Sequence, residues 1–299
     1  MPLAVFPKCF LDRLCVTRDM QVTEWIDLAS ELDVDGLEFY WGFTPDEHPE
    51  ELSRLREYAA DRGLQIPMMC FSPDFTKADA RARAAEVERQ KEAVDAADAL
   101  GAAYCRVLTG QRRPGIEFER ALGWVVDCIR ESVRYAAGRG ITLVLENHYK
   151  DAYWNYPEFA QRAQTFLAVL DRLGDEPCLG VNYDPSNALI AGEDPIKLLD
   201  AVKHRVVTMH ASDRYLEGGT MEDLRGMEAK PQSGYAGLLK HGVIGEGLND
   251  YDRIFRTLAD AGFDGWISIE DGDDPSRGMD HLHRSAAFLR SKMQEHGLS

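Results

Sequence analysis

Eight short apolar runs, each followed by a segment of helical periodicity, set the tightest constraint on what this chain can fold into. The runs are Leu3–Phe6, Gly36–Tyr40, Gln65–Cys70, Ala103–Leu108, Thr142–Glu146, Leu179–Tyr183, Val206–His210 and Gly265–Glu270. Between them, apolar residues recur at three- and four-residue spacing. Trp25, Leu28 and Leu32 share one helical face, as do Phe118, Leu122, Val125, Ile129, Val133 and Ala136, and as do Tyr251, Ile254, Leu258 and Ala261. Several segments end on a glycine just before the next run, at Gly63, Gly101, Gly140 and Gly262. Glycine tolerates the left-handed conformation that closes a helix, so each reads as a stop. Strand–helix alternation implies parallel pairing through crossover helices. Eight such units without a composition break or a flexible linker predict a single (β/α)₈ barrel spanning residues 1–299. No GxGxxG follows the first run, which argues against a dinucleotide-binding sheet. Residues 211–248 exceed the minimal unit and read as an extended loop after strand seven, and Met279–Gln294 reads as an extra C-terminal helix.

Charge narrows the partners. In 299 residues, 34 Lys and Arg stand against 51 Asp and Glu, a formal net charge of −17. Such a surface repels a phosphate backbone, so the expectation is no nucleic-acid partner. No apolar run approaches the length of a membrane span, so no membrane partner is expected either. The six cysteines form no CxxC, and several sit in apolar runs, which reads as buried free thiols in a reducing compartment. The start, MPLAVFPKCF, lacks the long apolar stretch of a secretory signal, and the expected location is the cytoplasm.

In a barrel the chemistry belongs at the C-terminal ends of the strands. Strands five to eight end Leu145-Glu146-Asn147-His148, Tyr183-Asp184-Pro185-Ser186-Asn187, Met209-His210-Ala211-Ser212-Asp213 and Ile269-Glu270-Asp271. Four consecutive strands therefore deliver Glu146, Asp184, His210 and Glu270 to one rim. Three carboxylates and an imidazole converging there would repel one another without a cation between them. The mostly oxygen donor set suits one divalent metal, Mn²⁺ first and Mg²⁺ next, and also admits Zn²⁺ or Co²⁺.

These phrases, together with Gly245-Glu246-Gly247, resemble the xylose-isomerase-like TIM barrels, and within them the sugar phosphate isomerase/epimerase group. The resemblance covers nearly the whole chain and keeps the motifs in order. It implies a metal held by Glu146, Asp184, His210 and Glu270, and a keto sugar or related polyol as substrate. The 211–248 loop is longer than that group usually carries. A divalent cation that chelates a hydroxyl and a neighbouring carbonyl makes the C–H beside the carbonyl more acidic. Glu146 and Glu270 come from non-adjacent strands and are placed to remove a proton from one face and return it to the other, an isomerase or epimerase reaction. The alternative is a lyase using the same enolising step. It would be an inosose-type dehydratase or a 3-keto glycoside C-deglycosidase, both of which also resemble this barrel.

Further residues admit two readings each. His148 is a third catalytic candidate, a proton donor or hydroxyl anchor, or else a rim histidine bonded to a carbonyl. Arg214 binds a substrate oxygen or pairs with Asp213 or Glu217. Asn187 donates to the site or caps a helix. Glu246 orients a ligand or closes a turn. Glu38 is read as facing the rim and bonding a sugar hydroxyl. Phe39, Tyr40, Trp41 and Phe43 after strand two, and Tyr149, Tyr153, Trp154 and Tyr156 after strand five, suit a sugar of hexose size or larger, with Trp41 and Trp154 as substrate contacts. The same rings also fit loop packing or a subunit contact. A homo-oligomer, or pairing with a small accessory subunit, is expected.

Overall fold

The computed structural model describes residues 1–44, 48–226, 236–270, 272 and 274–298. The barrel strands are β1 (Leu3–Val5), β2 (Gly36–Leu37 and Phe39–Tyr40, interrupted at Glu38), β3 (Met68–Cys70), β4 (Tyr104–Val107), β5 (Thr142–Glu146), β6 (Leu179–Tyr183), β7 (Val206–Ala211) and β8 (Trp266–Ile269). Every pairing is parallel. The registers include Leu3↔Ile267, Ser268↔His210, Tyr183↔Met209 and Glu146↔Asn182. The two halves of β2 close the ring: Val5↔Leu37 ties it to β1, and Tyr40↔Cys70 ties it to β3. The chain is thus a TIM barrel, and its strands match the eight predicted runs to within three residues at each end.

The strands are short and apolar because both of their faces are covered. Leu143, Val144, Leu145, Met209 and Ile267 are all completely buried. The helix Phe118–Ala137 buries Leu122, Val125, Ile129, Val133 and Ala136 against the barrel, as its periodicity predicts. Phe118 departs from that face and is 42% exposed, because it stands at the first turn, beyond the edge of the strands. The predicted glycine stops hold: Gly63, Gly101, Gly140 and Gly262 all have φ between +70° and +74°. The C-terminal helix, Gly278–Glu295, buries Leu282, Ala286 and Leu289 within this chain, so it covers the barrel.

The region after β7 is only partly a loop. Asp213–Leu216 and Leu239–Gly242 form an antiparallel hairpin, with Arg214 opposite His241. A short helix, Met221–Gly226, lies between them, and residues 227–235 fall outside the described residues. Leu224, Ala236 and Leu239 form a small apolar cluster of their own, packed against Ile190. The patterning missed this because the hairpin strands carry charged residues and do not alternate cleanly.

Candidate metal centre

Glu146 is the last residue of β5, His210 lies in β7, and Asp184 and Glu270 follow β6 and β8 directly. Parallel register brings them level at one end of the barrel. Glu146, Asp184, His210 and Glu270 each offer a donor atom, and these four atoms lie within 4.8 Å of one another. The imidazole Nδ1 of His210 is 3.2 Å from Glu146 Oε1 and 3.1 Å from Glu270 Oε2.

Each donor is oriented by a neighbour. Asp184 caps the helix Pro185–Ile190, taking the Ser186 N–H at 2.7 Å and the Ser212 hydroxyl, also at 2.7 Å. The Asn147 side chain pairs reciprocally with the Asp184 backbone, donating to its carbonyl at 2.7 Å and accepting its N–H at 2.9 Å. Asn187 Nδ2 donates to Asp184 Oδ2 at 2.8 Å and to Glu146 Oε1 at 3.3 Å. Two cations hold the far oxygens of the glutamates: Arg106 Nη1 is 2.9 Å from Glu146 Oε2, and Lys8 Nζ is 2.8 Å from Glu270 Oε1. On the other side of the histidine, Glu38 Oε2 is 2.9 Å from His210 Nε2, and the Cys70 thiol points at the same oxygen from 3.6 Å. A ligating histidine held by a carboxylate on its second nitrogen has its tautomer fixed, leaving Nδ1 bare to coordinate.

The charges can be counted. Glu38, Glu146, Asp184 and Glu270 carry four negative charges against two positive ones on Lys8 and Arg106, with His210 neutral. A surplus of two in a buried site is what one divalent cation would neutralise, and the donor chemistry of three carboxylates and one imidazole fits such an ion. With side chains alone, protons meet the surplus. Burial, reinforced by the Glu270 and Glu146 charges, pushes Asp184 up to about 6. Burial opposes a charged His210, but Glu38 and Glu146 outweigh it and hold the imidazole well above its usual range. Burial also opposes charge on Glu146, yet His210 and Arg106 bring it down to about 2.

Other expected site residues fall elsewhere. Glu38 does not stand at the rim for a sugar hydroxyl: it is 1% exposed and its carboxylate serves His210, because it lies within strand β2 rather than beyond it. Asn187 is not the helix cap, which is Asp184; its amide instead spans two of the acidic donors. His148 is buried, with Nδ1 3.3 Å from Glu158 Oε2, and its ring stacks on Tyr149. Burial opposes its protonation, but Glu146 and Glu158 raise it overall. Arg214 is buried, with its guanidinium 5.9 Å from the Tyr149 ring centre. Gly245-Glu246-Gly247 is a turn wrapped around Asp213. The Asp213 carboxylate accepts the N–H groups of Gly245, Gly247 and Asn249 at 3.0 to 3.1 Å, while Glu246 faces outward and pairs with Arg284. Phe39 and Phe43 are core residues rather than rim contacts. Trp41, Tyr153 and Trp154 line a cavity of about 440 Å³ in the other half of the mouth.

Lys8 and Arg106 were not singled out from the sequence. Lys8 lies just beyond β1 in Phe6-Pro7-Lys8, where a lone lysine gives no sign of a carboxylate partner as distant as Glu270. Arg106 sits inside an apolar strand, Tyr104-Cys105-Arg106-Val107, and a charge at such a position demands a buried counter-charge.

Among the described residues, no helix is long and apolar enough to cross a membrane, and none of the six cysteines is in a disulfide. The inosose dehydratase of Clostridium botulinum (strain Alaska E43 / Type E3) is 23% identical over 270 residues, covering 83% of each chain. The crystal structure of a D-tagatose 3-epimerase-like protein superposes with a TM-score of 0.76 at 19% identity, over 99% of this chain and 98% of the other. The IolI protein, solved with a bound zinc atom, superposes with a TM-score of 0.73 at 14% identity, over 99% of each chain. At such identities the superpositions speak for the fold alone. Residues 26–292 match the xylose isomerase-like TIM barrel family, and the chain belongs to it.

Proposed function

We propose that this protein is a divalent-metal-dependent isomerase or epimerase that acts on a keto sugar or related polyol by removing the proton next to the carbonyl. The observation that carries the reading is that Glu146 and Glu270, from β5 and just beyond β8, both approach His210 Nδ1, at 3.2 and 3.1 Å. Glu146, Asp184, His210 and Glu270 would hold the ion, Mn²⁺ or Mg²⁺ by the oxygen-rich set, with the zinc of IolI as a precedent for Zn²⁺. When bound, such an ion supplies Lewis acidity that polarises a carbonyl oxygen and acidifies the adjacent C–H. One glutamate takes the proton, and the other, across the site, delivers one to the opposite face. Asn187 and Arg106 keep Glu146 in place while it does so, and Lys8 does the same for Glu270. Asp184 is tied down by Ser186 and Ser212 and stays out of the proton traffic.

A second reading, a lyase, is favoured by the two cations. With Arg106 and Lys8 on their far oxygens, Glu146 and Glu270 are strong acids once protonated, so a proton taken from carbon is readily handed on to a departing β-substituent as well as back to carbon. The dehydratase named above carries out a reaction of this kind. Both readings begin with the same C–H cleavage, so one experiment addresses them. The protein with Mn²⁺ is incubated with D-fructose, and separately with an inosose, in D₂O, and the α-carbon is followed by NMR. Exchange with epimer formation supports the first reading, and loss of water supports the second. Stoichiometric metal binding with no exchange at any keto probe would reject both.

A further inference from the structure

The cavity beside the donor group is built by loops that the metal centre does not use. Its walls come from the segments after β1 to β5, whereas the donors come from β5 to β8. The two halves meet at Arg106: one end of its guanidinium holds Glu146 at 2.9 Å, and the other holds the hydroxyl of Ser72, which lines the cavity, at 3.0 Å. At about 440 Å³ it lies within the size range of small-molecule sites, and none of the four donors lines it. Trp41 packs edge-on against Phe71 with ring centres 5.5 Å apart, and Trp154 and Tyr153 complete an aromatic wall.

The polar lining indicates the groups an occupant can offer it. Asp74 is paired with Arg113, and Glu86 with Lys77 at 2.6 Å and Arg89 at 3.3 Å; with Arg18 and Asp151 counted, the lining carries four positive charges against three negative ones. Asp151 is 7% exposed, and among the described residues its carboxylate takes the Tyr40 hydroxyl at 3.3 Å and the Tyr153 N–H at 3.0 Å. A carboxylate has about four acceptor positions, so it retains capacity for a hydroxyl donor. Flat aromatic faces for C–H surfaces, together with a carboxylate for hydroxyls, are what a hydroxylated or aryl ring needs.

We propose that this cavity is a second subsite that accepts a hydroxylated or aryl ring joined by a glycosidic oxygen to the sugar at the donor group. It rests on the reading above only for the sugar placed there. The substrate is then a glycoside rather than a free monosaccharide, with its second ring on Trp41 and Trp154 and a hydroxyl on Asp151.

The test uses unreactive parent glycosides, so that binding is read without turnover. Dissociation constants for methyl β-D-glucoside, phenyl β-D-glucoside and cellobiose are measured by calorimetry on the Mn²⁺-loaded wild type, Trp41→Ala, Tyr153→Ala and Phe118→Ala. Phe118 is not part of the cavity wall and lines a neighbouring groove of about 220 Å³. At least one ring-bearing probe should bind about tenfold or more tighter than the methyl glucoside. Trp41→Ala should abolish the gain, Tyr153→Ala should reduce it, and Phe118→Ala should leave it intact. A preference for the phenyl probe identifies an aryl ring, and one for cellobiose a glycosyl ring. Tyr153 is 63% exposed, so its variant tests the wall even if Trp41→Ala does not fold. Equal affinities for all three probes overturn the proposal, as do ring-bearing probes binding more weakly than about 1 mM, or a gain that survives both wall variants. Should the keto probes show no exchange while the ring preference holds, the enolising reading falls and the subsite stands.

Discussion

Metal binding to this site should be strongly coupled to protons, and the structure sets the size of the coupling. When only side chains are present the donor group binds one proton on His210, held well above its usual range, and below about pH 6 a second on Asp184. An ion must displace whatever protons are bound, and each displaced proton changes the affinity by about tenfold, or about 1.4 kcal/mol, per pH unit. At pH 7 Asp184 is mostly ionised, so the ion displaces chiefly the His210 proton. Below about pH 6 it displaces both, and the dependence steepens towards a hundredfold per unit. From pH 7 to pH 5 this amounts to two units for His210 and about one for Asp184, or about 4 kcal/mol and a thousandfold loss of Mn²⁺ affinity. Calorimetry in two buffers of different ionisation heat gives the affinity and the proton count together. An affinity flat between pH 5 and 7, or binding without proton release at pH 7, would refute the charge accounting on which the metal centre rests.

Three further outcomes follow from the same contacts. Asp184 has its pKa raised on folding, so its contribution to the ion-free protein is present below the unfolded value of 3.8 and is lost as pH rises through about 6. The shift corresponds to about 3 kcal/mol. Asp184→Asn should therefore raise the melting temperature of chelator-treated protein at pH 7, by less than that full amount because Asn187 Nδ2 loses its acceptor, while Mn²⁺ ceases to stabilise the variant. Glu38→Ala should weaken Mn²⁺ binding about 10- to 100-fold by releasing the His210 ring, and Glu38→Gln, whose carbonyl can still accept from Nε2–H, should recover most of it in the same titration. Gly247→Ala should destabilise the fold by about 1–3 kcal/mol in urea denaturation, since a Cβ there would stand 2.2 Å from Asp213 Oδ1 and 2.5 Å from the Arg214 carbonyl.

The barrel could be read from the sequence because buried parallel strands leave a strong trace: four to six apolar residues, then a helical period, then a glycine with positive φ. The acidic donors were readable for a related reason. Glu146, Asp184 and Glu270 each interrupt an apolar run at its end, where a charge has no structural purpose in the core. Glu38 was misplaced because it looks the same as the others, a carboxylate in Leu37-Glu38-Phe39, yet it lies inside the interrupted strand β2 and faces His210. What tells a rim carboxylate from an interior one is depth along the barrel axis, and that depends on how β2 is staggered against β1 and β3. Lys8 and Arg106 were missed because their role is fixed by partners more than forty residues away, or at the limit of forty for Arg106 and Glu146. The hairpin after β7 was missed because its strands are held by pairing and by Asp213, with little apolar alternation of their own.

The knot of backbone amides around Asp213 has a consequence for how this barrel can diversify. The chain leaves the rim at Asp213 and comes back to it some thirty residues later, where Leu248 N–H closes on the Arg214 carbonyl at 2.8 Å and the aspartate grips Gly245, Gly247 and Asn249. Exit and re-entry are thus fastened at one point, a step from His210. Whatever sequence is spliced between those two fastenings can grow, shrink or be exchanged while the histidine keeps its place, which makes the excursion a natural spot for grafting new specificity.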